Sequence, residues 1–247
     1  IKLIINLKKF MEDNIVNFKG IKFYNYDFHK IVSIINEGGY LVAPAASALT
    51  NISKDKIYHQ SLINSDVAIF DSGFFVILLR IFKKKKVTKF SGYWFLKNFL
   101  NLDFPEKVNF LTIDPTKEDG EANTKYLKNK KIINTTSYVA PTYIKEKIID
   151  ENLLNEINKI RPRYIIVNLG GGVQELLALY IKKNINFKTS ILCTGAAIGF
   201  LTKRQAPIND LVDKLYLGWL VRTLHNPKKF FFRTIKSLSL IKQFLKD

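Results

Sequence analysis

Tyr164-Ile-Ile-Val-Asn-Leu-Gly170-Gly171-Gly172-Val173-Gln174-Glu175-Leu176 reads as a buried strand over 164–169, a glycine turn and the opening of a helix. Consecutive β-branched apolar residues suit a strand covered on both faces. A strand that feeds a helix through so short a turn is the repeating unit of a parallel α/β sheet. The turn would aim backbone N–H groups at an anion in front of the helix. It matches neither the dinucleotide fingerprint nor the P-loop, and a packing turn accounts for three glycines equally well. Gln174 and Glu175, in the first helical turn, could reach a ligand there; alternatively Glu175 offsets the helix dipole.

Outward from this unit, strand-like runs at 40–43, 67–70, 108–112, 131–134 and 190–194 alternate with helical patterns at 28–36, 73–82, 93–100, 120–127, 144–159 and 173–183. The fold class is therefore α/β, a mostly parallel sheet flanked by helices. The last stretch differs. Segments 209–224 and 228–245 read as consecutive helices broken at Asn226-Pro227, and from Lys203 onward ten Lys and Arg face three Asp. We expect a catalytic sheet domain over 1–205 and a basic helical appendage over 206–247. On a helical wheel Phe230, Phe231, Ile235, Leu238, Ile241 and Leu245 fall on one side, with Lys229, Arg233, Lys236 and Gln243 opposite and Lys242 interrupting the apolar arc. A basic, aromatic-rich amphipathic helix suits an anionic membrane surface, although an ordinary docked helix fits too.

Composition fits a folded chain, with 47% hydrophobic and 24% charged residues. The net charge of +18 favours polyanionic partners, but Lys, Ile and Asn are abundant throughout, so local clusters carry more information than the total. One cysteine, Cys193, excludes an intramolecular disulfide. The apolar run 67–82 contains Asp71 and Arg80 and is too short for a span of about 20 residues; no transmembrane helix is expected. Residues 1–10 are apolar but lack a small-residue cleavage site. Met11, the one methionine, leaves open both a start at Met11 and a residue preceding Ile1.

Val67-Ala-Ile-Phe-Asp71-Ser-Gly73 sets a carboxylate at the end of a buried strand, and parallel sheets bind ligands in the crevice outside those ends. Asp71 is the candidate general base; it equally suits the N-cap of the following helix. Thr194-Gly195-Ala-Ala-Ile-Gly199 is a second small-residue turn that permits close approach of a ligand or a neighbouring backbone. There is no Asp-x-Asp pair, and His29, His59 and His225 are isolated, so no divalent metal site is expected. A diphosphate leaving group would then need cationic side chains, and Arg222 and Arg233 are candidates.

Together, Asp71-Ser-Gly73, Ser91-Gly92, Val139-Ala-Pro141, Gly172-Val-Gln174-Glu175, Gly195-Ala-Ala and Gly218-Trp219-Leu-Val-Arg222 resemble, in order and spacing, the WecG/TagA/CpsF family of bacterial glycosyltransferases. The most specific parts are the Gln-Glu turn and the Trp-x-x-Arg helix followed by Pro227 and Arg233. The resemblance implies a Rossmann-like fold and an inverting, metal-independent transfer of N-acetylmannosamine or a related hexosamine. The donor would be a UDP-sugar and the acceptor a lipid-diphosphate-linked sugar, in cell-surface polysaccharide biosynthesis. The family's base maps to Asp71, with Ser72 inserted before Gly73. Its motif glutamine maps to Gln174, with Gly172-Val173 replacing Pro-Lys, and its diphosphate-closing arginines map to Arg222 and Arg233. Arg222 joins Asp71 and Gln174 as catalytic, and nucleotide-sugar contacts are expected at Ala43, Ala45, Gly92, Pro141, Gly171, Gly172, Glu175, Gly195 and Ala196.

Two departures bear on the donor. Ala43-Pro44-Ala45 stands where many members have Thr-x-Asn, and Gly199 stands where many have Asp. The expected partners are a UDP-sugar, the lipid-linked acceptor and an anionic membrane at the inner face of the cell membrane, with no cofactor, no metal and no nucleic acid; self-association stays open. One rival reading is a nucleic-acid-binding protein, drawn from Lys83 to Lys86 beside Phe82 and Phe90, without a helix-turn-helix, RNP or zinc pattern. Another is a catalytically silent nucleotide-binding relative, drawn from Ala43, Ala45 and Gly199.

Overall fold

The computed structural model describes residues 14–245; the apolar segment 1–10 and Met11 lie outside the described residues. An eight-stranded sheet organises them, in the order β1-β2-β4-β3-β8-β7-β5-β6. The strands are β1 (Ile15–Phe18), β2 (Ile21–Tyr24), β3 (Gly39–Val42), β4 (Val67–Ala68), β5 (Phe110–Asp114), β6 (Thr135–Val139), β7 (Tyr164–Val167) and β8 (Ser190–Cys193). β1 and β2 form an antiparallel hairpin, and all other pairings are parallel. The fold is a Rossmann-like α/β sheet with a helical C-terminal part.

Alternation along the strands loads both faces of this sheet. Tyr40, Val42, Ile165, Val167, Ile191 and Cys193 enter one core, while Leu41, Tyr164, Ile166 and Leu192 enter the other. This is the period-two pattern of a sheet covered on both sides. Covering the first core are α2 (Ala46–Leu49), α3 (Lys56–Ile63), α4 (Gly73–Phe82), α7 (Glu151–Ile160) and α8 (Gln174–Asn184). The second lies under α1 (Phe28–Ile35), α5 (Gly92–Phe99), α6 (Lys117–Asn129) and α9 (Ala197–Leu201).

Four expectations need correction. Segment 131–134 is a turn rather than a strand: Lys131 adopts φ 63°, Ile132 buries into the second core, and the strand follows at Thr135–Val139. Its polar side chains mask it, because β6 is a half-exposed edge strand. The helix expected from 144 begins at Glu151, where the Asp150 carboxylate accepts the Leu153 N–H at 2.9 Å and caps it. Segment 209–224 is split by Tyr216, at φ 63°, into α10 (Asp210–Lys214) and α11 (Gly218–His225). The last helix divides into α12 (Pro227–Leu238) and α13 (Leu240–Phe244), with Pro227 at the first helical position that it favours.

That division changes the helical wheel. Phe231, Ile235, Leu238 and Leu245 remain outward and exposed, whereas Leu240 and Phe244, off the predicted stripe, are buried. Phe244 stacks on Phe18 at 5.1 Å and meets Phe75 and Phe82. Burying two such side chains contributes about 3–6 kcal/mol, so α13 is tied to the main core. Among the described residues no helix is long and apolar enough to cross a membrane.

Candidate active site

Because β2 to β8 run parallel, all of their strand-to-helix turns open at one edge of the sheet. The chain leaves β3 for β4 on one side, while β8, β7, β5 and β6 fill the other. Ligand crevices form at such switch points. Gly92 sits at this one: a Cβ there would lie 3.2 Å from both the Ala43 Cβ, after β3, and the Thr194 carbonyl oxygen, after β8. A side chain there would press on both strand ends, so glycine suits the close meeting of the two strand ends with the start of α5.

Asp71 leaves β4 beside this junction. Its Oδ1 accepts the Gly92 N–H at 2.8 Å. The capping role open to Asp71 is filled by Ser72, whose Oγ accepts the Phe75 N–H, so the Asp71 carboxylate is free of the helix it precedes. No donor among the described residues reaches its second oxygen. Burial raises the Asp71 pKa above the ordinary carboxylate value, opposed by Arg222, the Gly92 N–H and Lys89, and assisted by the Asp213 carboxylate.

A cavity of about 300 Å³ opens over Asp71, walled by the ends of α2 and α4 on one side and by α10, α11 and α12 on the other. Lys89, Arg222 and Arg233 line it opposite two carboxylates, Asp71 and Asp213. Arg222 lies 4.7 Å over the Phe200 ring, and its Nε is buried without a hydrogen-bond partner. Burial lowers its pKa and the Asp71 charge raises it, without an ion pair forming between them. Tyr216 covers the turn at Gly73 so closely that a Cβ on Gly73 would stand 2.0 Å from the Tyr216 ring. Asp213 binds this C-terminal part to the sheet: Oδ1 pairs with Lys89 Nζ at 2.6 Å and Oδ2 accepts from Ser91 Oγ at 2.6 Å. Ser91 in turn caps α5.

The other residues singled out in the sequence are spread along this edge of the sheet. Ala45 lines the cavity, and Ala43 is buried behind Gly92. Gln174 and Glu175 are buried and cross-brace two neighbouring turns. Gln174 Oε1 accepts the Gly195 N–H at 2.9 Å, while Glu175 Oε2 accepts the Gly172 N–H at 2.6 Å and Oε1 accepts from Gln174 Nε2. Burial raises the Glu175 pKa. Gly171 is exposed, and Gly195 and Ala196 are half-buried at the end of β8. The β8 turn reaches the same junction as Asp71, through Gly92 and the Thr194 carbonyl, and the β7 turn lies one strand further along the sheet. Exposed Pro141 follows β6, at the far edge of the sheet about 24 Å away, and is not brought to the cavity. Gly199 is packed against Gln205, whose Cγ would stand 2.5 Å from an added Cβ, so any side chain at 199 would have to displace Gln205.

Sequence reasoning missed Lys89, Asp213 and Tyr216. It also missed Asp114, at the end of β5, which is fully buried. Its oxygens accept from Thr112 and Ser137 at 2.6 and 2.7 Å and from Asn123 at 2.6 Å. The run Phe110-Leu-Thr-Ile-Asp114 repeats the strand-then-aspartate pattern that marked Asp71, and that signal was available. With both carboxylate oxygens accepting hydrogen bonds, Asp114 braces β5, β6 and α6. Asp114→Ala is expected to destabilise the fold by about 2–4 kcal/mol, because buried donors lose their acceptor; a urea midpoint unchanged from wild type would contradict this.

Among the described residues no group of three or more His, Cys, Asp or Glu is placed to hold a metal ion. No individual curated protein matches the chain. The family model described as glycosyl transferase WecG/TagA/CpsF matches residues 16–247, and the chain, with its carboxylate at the switch point of a parallel sheet, belongs to that family.

Proposed function

We propose that this glycosyltransferase moves a hexosamine-type sugar from UDP to a sugar carried on a lipid diphosphate, with inversion and without a metal, at the inner face of the cell membrane. The observation that carries the reading is Asp71: a carboxylate with one oxygen held by Gly92 and the other free, in a cavity with three cations. In the proposed step the acceptor hydroxyl oxygen attacks the anomeric carbon and its proton passes to Asp71. The bond from that carbon to the UDP oxygen breaks, and one displacement gives inversion. Arg222, Arg233 and Lys89 neutralise the departing diphosphate; cations placed where charge develops act most strongly where water is sparse.

The acceptor's lipid accounts for the surface around the cavity. Trp219, Phe231, Ile235 and Leu238 are exposed on α11 and α12 among the basic residues of the same helices, an arrangement that suits the headgroup region of an anionic bilayer. Gln174 and Glu175 act in this scheme by fixing the β7 and β8 turns against the nucleotide, not by touching the reacting atoms.

A panel of UDP-sugars incubated with a lipid-diphosphate-sugar acceptor tests the reading. Product is expected with at least one UDP-hexosamine, and without added divalent metal. If the chain binds UDP by calorimetry yet transfers nothing across the panel, it is a silent nucleotide binder and the catalytic assignment fails.

A further inference from the structure

The lysine run after α4 has no part in the catalytic scheme, yet it is held as a fixed structure. Arg80 Nε and Nη2 both donate to the Val87 carbonyl, at 2.9 and 2.6 Å, closing the turn from inside. Asn25 grips its far end, donating to the Lys86 carbonyl and accepting from the Thr88 N–H, both at 3.1 Å. Lys84 takes the left-handed conformation, at φ 50°, that completes the reversal. Lys83, Lys84, Lys85 and Lys86 are all exposed, and none forms an ion pair among the described residues. Four like charges in so short a turn repel one another; an anionic partner relieves that.

The helix leading to this turn carries an apolar stripe. Phe75, Val76, Leu78 and Leu79 of α4 are buried, while Ile77 and Ile81 are 42% and 64% exposed, with Phe82 at 38%. Phe74, Ile77 and Ile81 follow helical spacing along one side. Phe74 lines the Asp71 cavity beside Leu238 of α12, and Phe82 contacts Phe244 of α13. The stripe therefore runs about 15 Å, one helix length, from the mouth of the cavity to the lysines, flanked by the C-terminal helices.

We propose that α4 and the lysine turn form a second contact with an anionic lipid bilayer, borne by the sheet domain itself, which with α12 sets the cavity mouth against the membrane. This rests on the lipid-linked acceptor of the proposed function and assigns its partner surface. Aliphatic side chains beside fixed cations match the boundary between headgroups and acyl chains. Single-stranded nucleic acid is gripped instead through several planar rings interleaved with cations; on this stripe Phe82 is the one such ring beside the lysines, already in contact with Phe244, and Ile77 and Ile81 offer no stacking face.

The test is sedimentation of the full chain with vesicles of phosphatidylcholine alone or mixed with phosphatidylglycerol, at physiological salt. Each lysine near an anionic surface contributes roughly fivefold in partition. The combined Lys83→Gln, Lys84→Gln, Lys85→Gln, Lys86→Gln variant is therefore expected to lose at least about 100-fold on the mixed vesicles, with thermal unfolding unchanged. Ile81→Gln should lose at least about tenfold. Wild-type partition by the quadruple variant overturns the proposal. So does loss of single-stranded oligonucleotide binding in that variant while vesicle binding stays intact, which would make the turn a nucleic-acid surface. Vesicle partition needs no turnover, so a chain that binds lipid but transfers no sugar overturns the catalytic reading alone.

Discussion

Asp71→Asn is expected to lower sugar transfer by about 10²–10⁴-fold, the usual contribution of a positioned general base. The substitution is close to isosteric, and the asparagine Oδ1 can still accept the Gly92 N–H that fixes Asp71. The cavity and UDP binding should therefore survive, and the loss should fall on kcat rather than on KM. The pH profile separates a base from a bystander. Burial lifts the Asp71 pKa above the ordinary carboxylate range, and the base acts only when ionised. The wild-type rate should therefore rise with pH through a limb displaced upward from that of an exposed aspartate, and the residual rate of the variant should lack this limb. Near-normal turnover by a folded Asp71→Asn protein would remove Asp71 from the mechanism.

Much of the sheet was legible because its buried strands are continuous apolar runs, each followed by a small-residue turn. α4 falls where its pattern ends, at Phe82, because Ser72 caps it and the lysine turn stops it. The β1–β2 hairpin was not legible: its strands have four residues each, with lysines at Lys19 and Lys22, in a chain where lysine is everywhere. The site divides in the same way. Asp71, Arg222 and Arg233, singled out in the sequence, line one cavity. Gln174 was recognisable by its neighbours, but its direction was not, since it turns inward to hold Gly195. Lys89 and Asp213 could not be read at all. Neither stands out among the chain's charges, and their pairing spans 124 positions, so only the completed fold brings them together.

That pairing carries the second large effect. Lys89 and Asp213 have side-chain exposures of 11% and 16%, so the pair is largely withdrawn from water, and breaking it by Asp213→Ala should cost roughly 3 kcal/mol. The other ion pair holding α10, Lys97 with Asp210, is 34% and 62% exposed and contributes little. Around α10 what remains is the apolar contact of Ala206 and Ile208 with Tyr93 and Phe200 and the packing of Tyr216 over Gly73, while α13 stays anchored through Leu240 and Phe244. The C-terminal part should therefore open locally about 100-fold more often, seen as faster cleavage near residues 202–217 under native conditions. Catalysis should suffer twice. Tyr216 and Arg222 lose their placement over Asp71, lowering the rate at every pH. Removing the Asp213 anion also leaves Lys89 and Arg222 unopposed beside Asp71, which favours its ionised form, so the acidic limb should move to lower pH. Asp213→Glu, retaining the charge, should restore most of the limb's position. A residue that merely held the fold would lower the rate without moving the limb, and that outcome would reduce Asp213 to a structural latch.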